Sequence, residues 1–187
     1  MISILIALHD PEKRVEEMTE QCLESIRINS KGQDYELRVL KGQGHRKVSY
    51  TNELWRQAKG EYLVLVGNDV IINDNNWLGK LCVPNTITSA WIHKAHFNQE
   101  PYIDFALCCV PRNILEKVGY LDEDFTDGYG YDDNDWCHRA SLLGIPQIQI
   151  PIKAMHKESG TYNEYFTKEQ KKEMTERNWK IYKKKWL

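Results

Sequence analysis

The chain has 187 residues, enough for one domain with a substantial buried core. Its 25 Lys and Arg against 27 Asp and Glu leave a net charge of −2, so no global basic field argues for a nucleic-acid partner. No apolar run approaches the ~20 residues that span a bilayer, and the five cysteines form no Cys-x-x-Cys, which is the usage of a reducing, cytoplasmic compartment.

Residues 2–8 are a continuous apolar run without a preceding basic segment, which reads as a strand buried on both faces and not as a signal peptide. Asp10-Pro11 has the form of an N-cap and first helical position, opening a helix on which Val15, Met18, Cys22 and Ile26 recur as far as about Asn29. Ser30 to Gln33 breaks the pattern, and Tyr35 to Leu40 is a second strand. The Gly42-Gln43-Gly44 that follows is no dinucleotide fingerprint, because Lys47 stands where its third glycine belongs. A helix over Ser49 to Lys59 stops at Gly60, and Tyr62 to Val66 is another buried strand that ends in Gly67-Asn68-Asp69. This alternation predicts an α/β domain with a largely parallel sheet. Ligands of such sheets gather at the carboxyl ends of strands, where His9-Asp10, Lys41-Gly42 and Asn68-Asp69 fall.

Beyond Trp77 the pattern loosens: strands are expected over Ile87 to Ile92 and Tyr102 to Val110, with an irregular segment between them. Pro111 starts a short helix carrying Ile114, Leu115 and Val118, closed by Gly119. Next comes a Gly/Tyr loop and three carboxylates in four positions, Asp132, Asp133 and Asp135, opening a helix with Trp136, Ala140 and Leu143 on one face and Gly144 at its end. Capping and the helix dipole, at ~0.3–2 kcal/mol each, account for one acid or two. A third gains little, whereas adjacent carboxylates on a rigid helix start suit a base that takes a proton from a hydroxyl. A calcium loop counted from Asp122 fails, since Asp127 replaces its turn glycine and Asp133 its final glutamate. Gln147 to Ile152 is a last strand leading to His156, and from about Thr167 a basic helix carries eight Lys or Arg against three Glu. Its stripe of Met174, Asn178, Ile181, Tyr182 and Trp186 suits either packing on the domain or peripheral contact with an anionic membrane.

Three motifs in this order carry a resemblance: a strand ending in Asn68-Asp69, the segment Val118-Gly119-Tyr120-Leu121-Asp122-Glu123-Asp124-Phe125, and Gly130-Tyr131-Asp132-Asp133-Asn134-Asp135-Trp136-Cys137-His138-Arg139-Ala140, with a strand-end histidine after them. The chain resembles the GT-A fold glycosyltransferases, especially family 2, over essentially its whole length. The Gly-Tyr-Gly-Tyr-Asp-Asp run is also similar to the Trp-Gly-Trp-Glu-Asp type of the galactosyltransferases. The resemblance implies a Rossmann-like three-layer sandwich around a mostly parallel mixed sheet. It implies a single domain, with a nucleotide-binding half over 1–75, an acceptor and catalytic half over 76–160, and a C-terminal basic helix over 161–187.

Carried over position by position, Asp69 matches the last aspartate of the DxD motif and His156 the histidine that completes the metal site, so the pair would hold Mn2+ or Mg2+. Asp133 matches the general base, and Asp132, with Tyr131 beside it, the acid that touches the acceptor sugar. His9, Lys41, Asn68 and Asp69 fall on the donor side. The implied reaction is a metal-dependent transfer of a sugar, with inversion, from a nucleoside-diphosphate sugar to a carbohydrate or other hydroxyl acceptor. Two departures stand out: Gly67 occupies the first DxD position, and Leu40-Lys41-Gly42 lacks the acid that reads uracil in many members. Acceptor choice falls to residues 91–101, 126–131 and the C-terminal helix. The alternatives are a catalytically weak nucleotide-sugar-binding module and a nucleotidyltransferase, although Leu8-His9-Asp10-Pro11 lacks the glycine-rich phosphate loop the latter needs.

Overall fold

A computed structural model describes residues 1–10, 12–42, 46–91, 103–125, 129–157 and 160–187. The first half runs β1 (Ile2–His9), α1 (Glu16–Asn29), β2 (Tyr35–Gly42), α2 (Lys47–Gln57) and β3 (Tyr62–Val66). β1 lies between β2 and β3 and is parallel to both, with Ile2 opposite Tyr35 and Tyr62, and His9 opposite Gly42. These strands therefore end at one edge, as their apolar runs and crossover helices require.

The second half supplies β4 (Val70–Ile72), α3 (Trp77–Leu81), β5 (Ile87–Ala90), β6 (Leu107–Pro111), α4 (Arg112–Val118), α5 (Asp132–Leu142), β7 (Gln147–Ile150), β8 (Ala154–His156), α6 (Gly160–Tyr165) and α7 (Lys168–Trp186). β6 pairs antiparallel with both β3 and β5, and β5 pairs parallel with β7, giving the order β2-β1-β3-β6-β5-β7. β4 and β8 form a separate antiparallel pair in which Val70 faces His156.

The two-residue period of the strands sorts their side chains into two cores. Leu5, Leu63, Leu65, Cys108 and Val110 join Leu54 and Trp55 of α2, Ile114 of α4 and Trp136 of α5 on one face. Ile4, Ile6, Val64, Val66 and Cys109 join Cys22 and Ile26 of α1 and Trp77 and Leu78 of α3 on the other. The result is the expected three-layer α/β sandwich in one domain.

Several element boundaries differ from the sequence expectation. Asp10 does not cap α1, which begins at Glu16; its carboxylate accepts the Val15 N–H at 3.3 Å and the Tyr165 hydroxyl at 2.5 Å. Pro11 lies outside the described residues. α2 begins at Lys47 and not at Ser49. β6 starts at Leu107, later than expected, and Pro111 is its last residue, so α4 starts at Arg112. α3, β4, β8 and α6 were not anticipated, and of the residues on which acceptor choice was placed, 92–101 and 126–128 lie outside the described residues.

Candidate active site

The carboxyl ends of β1, β2 and β3 carry the residues expected on the donor side. After β3 the chain turns through Gly67 and Asn68, with Val70 N–H bonded to Gly67 O at 3.1 Å, so that Asp69 stands beside the short β4–β8 pair. The antiparallel register brings His156 Nε2 to 3.1 Å from Asp69 Oδ1. The Gly160 N–H donates to the other oxygen, Oδ2, at 2.9 Å. Asn68 donates to Thr19 Oγ1 at 3.1 Å and accepts from the Thr161 hydroxyl at 2.8 Å.

Glycine at position 67 has a steric reason. A Cβ built there would lie 2.7 Å from Asp69 Oδ1, because the Asp69 carboxylate folds back over this residue. Below it, Cys22 Sγ donates to Gly67 O at 3.4 Å; burial, reinforced by the Asp69 charge, pushes that thiol up to about 12.

His9 and Asp10 close β1. The His9 ring meets the Tyr165 ring edge-on at 4.9 Å, and Lys41 Nζ lies 3.6 Å from Asp10 Oδ2. Burial alone would raise the Asp10 pKa, but the Tyr165 hydroxyl, the Val15 N–H and Lys41 hold it below the ordinary aspartate value.

The acidic loop is held from several directions. Gly130 and Tyr131 both adopt left-handed backbone, at φ 82° and 70°, which costs a tyrosine energy unless its surroundings fix it. Tyr131 is fixed by α7, its ring 5.3 Å from Trp179 and 5.5 Å from Tyr182. The fully buried Asn178 of α7 donates to Tyr129 O and Gly130 O at 3.3 and 3.1 Å. Thus α7 packs its aromatic stripe on the domain and turns Lys180, Lys183 and Lys184 to solvent. Trp136 anchors α5, stacking near Trp55 and Phe105 at 5.8 Å from each and donating from Nε1 to Gly119 O at 2.7 Å.

None of the three acids caps α5 in the usual sense, since the N-cap is Tyr131 and makes no side-chain capping bond. Asp135 is fully buried and accepts from Arg139 Nε at 3.0 Å, Lys185 Nζ at 2.6 Å and Trp186 Nε1 at 2.9 Å, so it ties α5 to α7. Asp133 accepts the Asn134 N–H at 2.9 Å. Asp132 is 2% exposed and lies 3.3 Å from Lys47 Nζ. Because α2 follows the carboxyl end of β2, this contact brings the acid pair to the same edge as Asp69.

α6 spans the two sides. Its Gly160 and Thr161 hold Asp69 and Asn68, its Tyr162 ring lies 4.5 Å from that of Tyr129 in the acidic loop, and its Tyr165 reaches His9 and Asp10. The expected donor, metal and acid residues are therefore gathered on one edge of the sheet. Lys47, Gly160, Thr161 and Tyr162 were not anticipated. Lys47 had been noticed for the glycine it replaces, and the α6 residues lie in a segment without apolar periodicity.

No protein-family profile and no curated protein matches the chain, but solved structures do. The catalytic domain of Drosophila β1,4-galactosyltransferase 7 with xylobiose superposes with a TM-score of 0.71 at 17% identity, covering 94% of this chain and 79% of that one. A mannosyltransferase from Pyrobaculum calidifontis, in complex with GDP-Man and Mn2+, gives 0.62 at 15% identity over 80% of this chain and 54% of that one. TarS of S. aureus gives 0.59 at 12% identity over 92% of this chain and 42% of that one. The fold is that of the GT-A glycosyltransferases, as the sequence resemblance implied.

Proposed function

We propose that the protein is a metal-dependent glycosyltransferase that moves a sugar, with inversion, from a nucleoside-diphosphate sugar to a hydroxyl acceptor. The observation that carries this reading is the Asp69–His156 contact at the strand ends, linked through α6 to the Tyr129–Asp133 loop. Two of the similar structures support the choice of ligands: one galactosyltransferase complex holds manganese, UDP-Gal and xylobiose, and the mannosyltransferase holds GDP-Man and Mn2+.

The donor set fits Mn2+ or Mg2+. A carboxylate oxygen and an imidazole nitrogen on facing strands are few ligands, which suits cations that share their shell with phosphate and water. Among the described residues no group of three or more His, Cys, Asp or Glu could hold a metal, so a diphosphate would complete the shell. Held by Asp69 and His156, the cation would supply charge compensation for the leaving nucleoside diphosphate.

The chain's own groups do the rest. His9, Lys41 and Asn68 border the donor, and Asp132, with the Tyr131 backbone turn that presents it, orients the acceptor. Asp133 accepts the proton of the attacking hydroxyl, with proximity contributing much of the acceleration.

A panel of nucleotide sugars with Mn2+ tests the reading. Donor turnover should fall by about 10²–10⁴ in Asp133→Asn and disappear when the metal is chelated. Nucleotide binding without turnover of any donor would overturn it in favour of a binding module.

A further inference from the structure

Asp132 and Asp135, at the start of α5, both lie against cations. Asp135 meets Arg139 and Lys185 at the α7 contact, whereas Asp132 meets Lys47, a residue 85 positions earlier in the chain. The groups that act on the Lys47 ammonium come from separate parts of the fold: Asp132 and Asp133 from α5, Tyr162 from α6 and Asp104 from the segment before β6. The Lys47 side chain is 37% exposed; partial burial works against its charge, yet these neighbours, Asp132 foremost, hold its pKa above the ordinary lysine value. The plain structural role, docking α2 on α5, is already filled by Trp55 against Trp136, and Asn52 ties α2 to the segment before α5 by donating to Leu121 O at 3.0 Å. The ion pair is thus not the main fastening of α2 on this side, and it holds a buried carboxylate at the first residue of α5.

We propose that Lys47 is a positioning residue of this site: it pins the Asp132 carboxylate in one orientation at the start of α5. The contact stands by itself; its catalytic consequence rests on the sugar-transfer reading above. Pinning holds Asp132 in one orientation toward the acceptor, beside the Asp133 that follows it at the start of α5.

The test has two arms. Acetic anhydride at pH 9, read by peptide mass spectrometry, acylates only unprotonated lysine. Lys47 should label about tenfold more slowly than Lys180, Lys183 and Lys184, and about tenfold faster in Asp132→Asn than in wild type, the effect of losing an opposite charge at this distance. Equal labelling of Lys47 in both proteins overturns the proposal, whether or not any sugar is transferred. In the kinetic arm, Lys47→Met should lower kcat about tenfold with donor KM within about twofold, Lys47→Arg should recover most of the loss, and Lys47→Met should cost nothing further in the Asp132→Asn background. An equal loss in that background overturns the positioning role. A labelling response in a wild-type protein that turns over no donor would sink the sugar-transfer reading and leave the Lys47–Asp132 pairing in place.

Discussion

Asp135→Asn separates the structural acid of α5 from its chemical neighbours. The carboxylate is fully buried and receives three donors, from Arg139, Lys185 and Trp186, at 2.6–3.0 Å. The amide keeps one acceptor oxygen but turns an N–H2 toward a cation. Breaking a buried ion pair costs about 3–5 kcal/mol when the remaining charge is stranded. Here the cations are not stranded. Arg139 retains Val118 O and Tyr120 O at 2.8 and 2.9 Å, and Lys185 retains Asp122 at 2.6 Å; their side chains are 23% and 30% exposed. Solvent and these partners reduce the loss to about 2 kcal/mol. In a domain of this size that is a fall in Tm of about 4–8 °C, read by circular dichroism and by the urea midpoint. Asp133→Asn, by contrast, should move Tm by less than about 2 °C while removing turnover. An Asp135→Asn protein with wild-type Tm would refute the assignment of this acid to the α5–α7 tie, and with it the division of labour among the three.

Four further outcomes are expected. Gly67→Ala forces the Asp69 carboxylate away from its place 2.7 Å from the new methyl, breaking its contact with His156; Mn2+ affinity, followed by electron paramagnetic resonance, should drop about tenfold, and an unchanged affinity refutes the steric argument. Asn52→Ala removes the amide that donates to Leu121 O and Glu123 and accepts the Leu121 N–H; at 1% exposure the loss should be about 2–3 kcal/mol in urea unfolding. Asp10 and Asp74 are both held below the ordinary aspartate pKa, Asp10 against its own burial by Tyr165, Val15 and Lys41, and Asp74 chiefly by Lys80. Their folded pKa lies below the unfolded one, so their stabilisation is whole above the unfolded value of about 3.9 and is lost as pH falls through the folded values. Tm should therefore decline below pH ~4, and less steeply in Tyr165→Phe; parallel acid slopes would refute the Tyr165–Asp10 contribution. Thr167→Ala removes the capping box in which Thr167 and Gln170 satisfy each other's backbone N–H groups, at a cost of about 1 kcal/mol and a frayed first turn of α7 by hydrogen exchange.

The parts of this molecule that were legible in its sequence are those whose signal is local. β3 is an apolar run that the structure places over the same residues, Tyr62–Val66, and α5 announces itself through acids, helical spacing and a terminal glycine at φ 67°. Strands β4 and β8 carry three residues each and owe their existence to pairing across 86 positions, Val70 with His156, so no window of sequence could have shown them. Asp10-Pro11 misled because an aspartate before a proline looks the same whether its oxygens meet only the next helix or, as here, also a tyrosine from residue 165. Lys47 misled in the opposite way: its meaning lies in Asp132, which the chain delivers to it after passing through five strands or helices of the second half.

The position of Asp69 shows how local and distant contributions combine at the site. Local chemistry brings the residue to the strand end, since a buried strand that stops in Gly-Asn-Asp delivers its last carboxylate to the sheet's edge. What aims that carboxylate is distant: Gly67 gives it room, the β4–β8 register sets His156 against one oxygen, and the Gly160 N–H takes the other. Gly160 approaches so closely that a Cβ there would meet Met18 Sδ at 2.8 Å and Asp69 Cβ at 3.1 Å, so a larger residue would displace the end of Met18 and press on Asp69. Two glycines 93 positions apart thus flank one carboxylate, and the first of them is the residue that looked like a defect in the DxD motif. In this fold the missing acid at position 67 is the space into which Asp69 turns to reach His156.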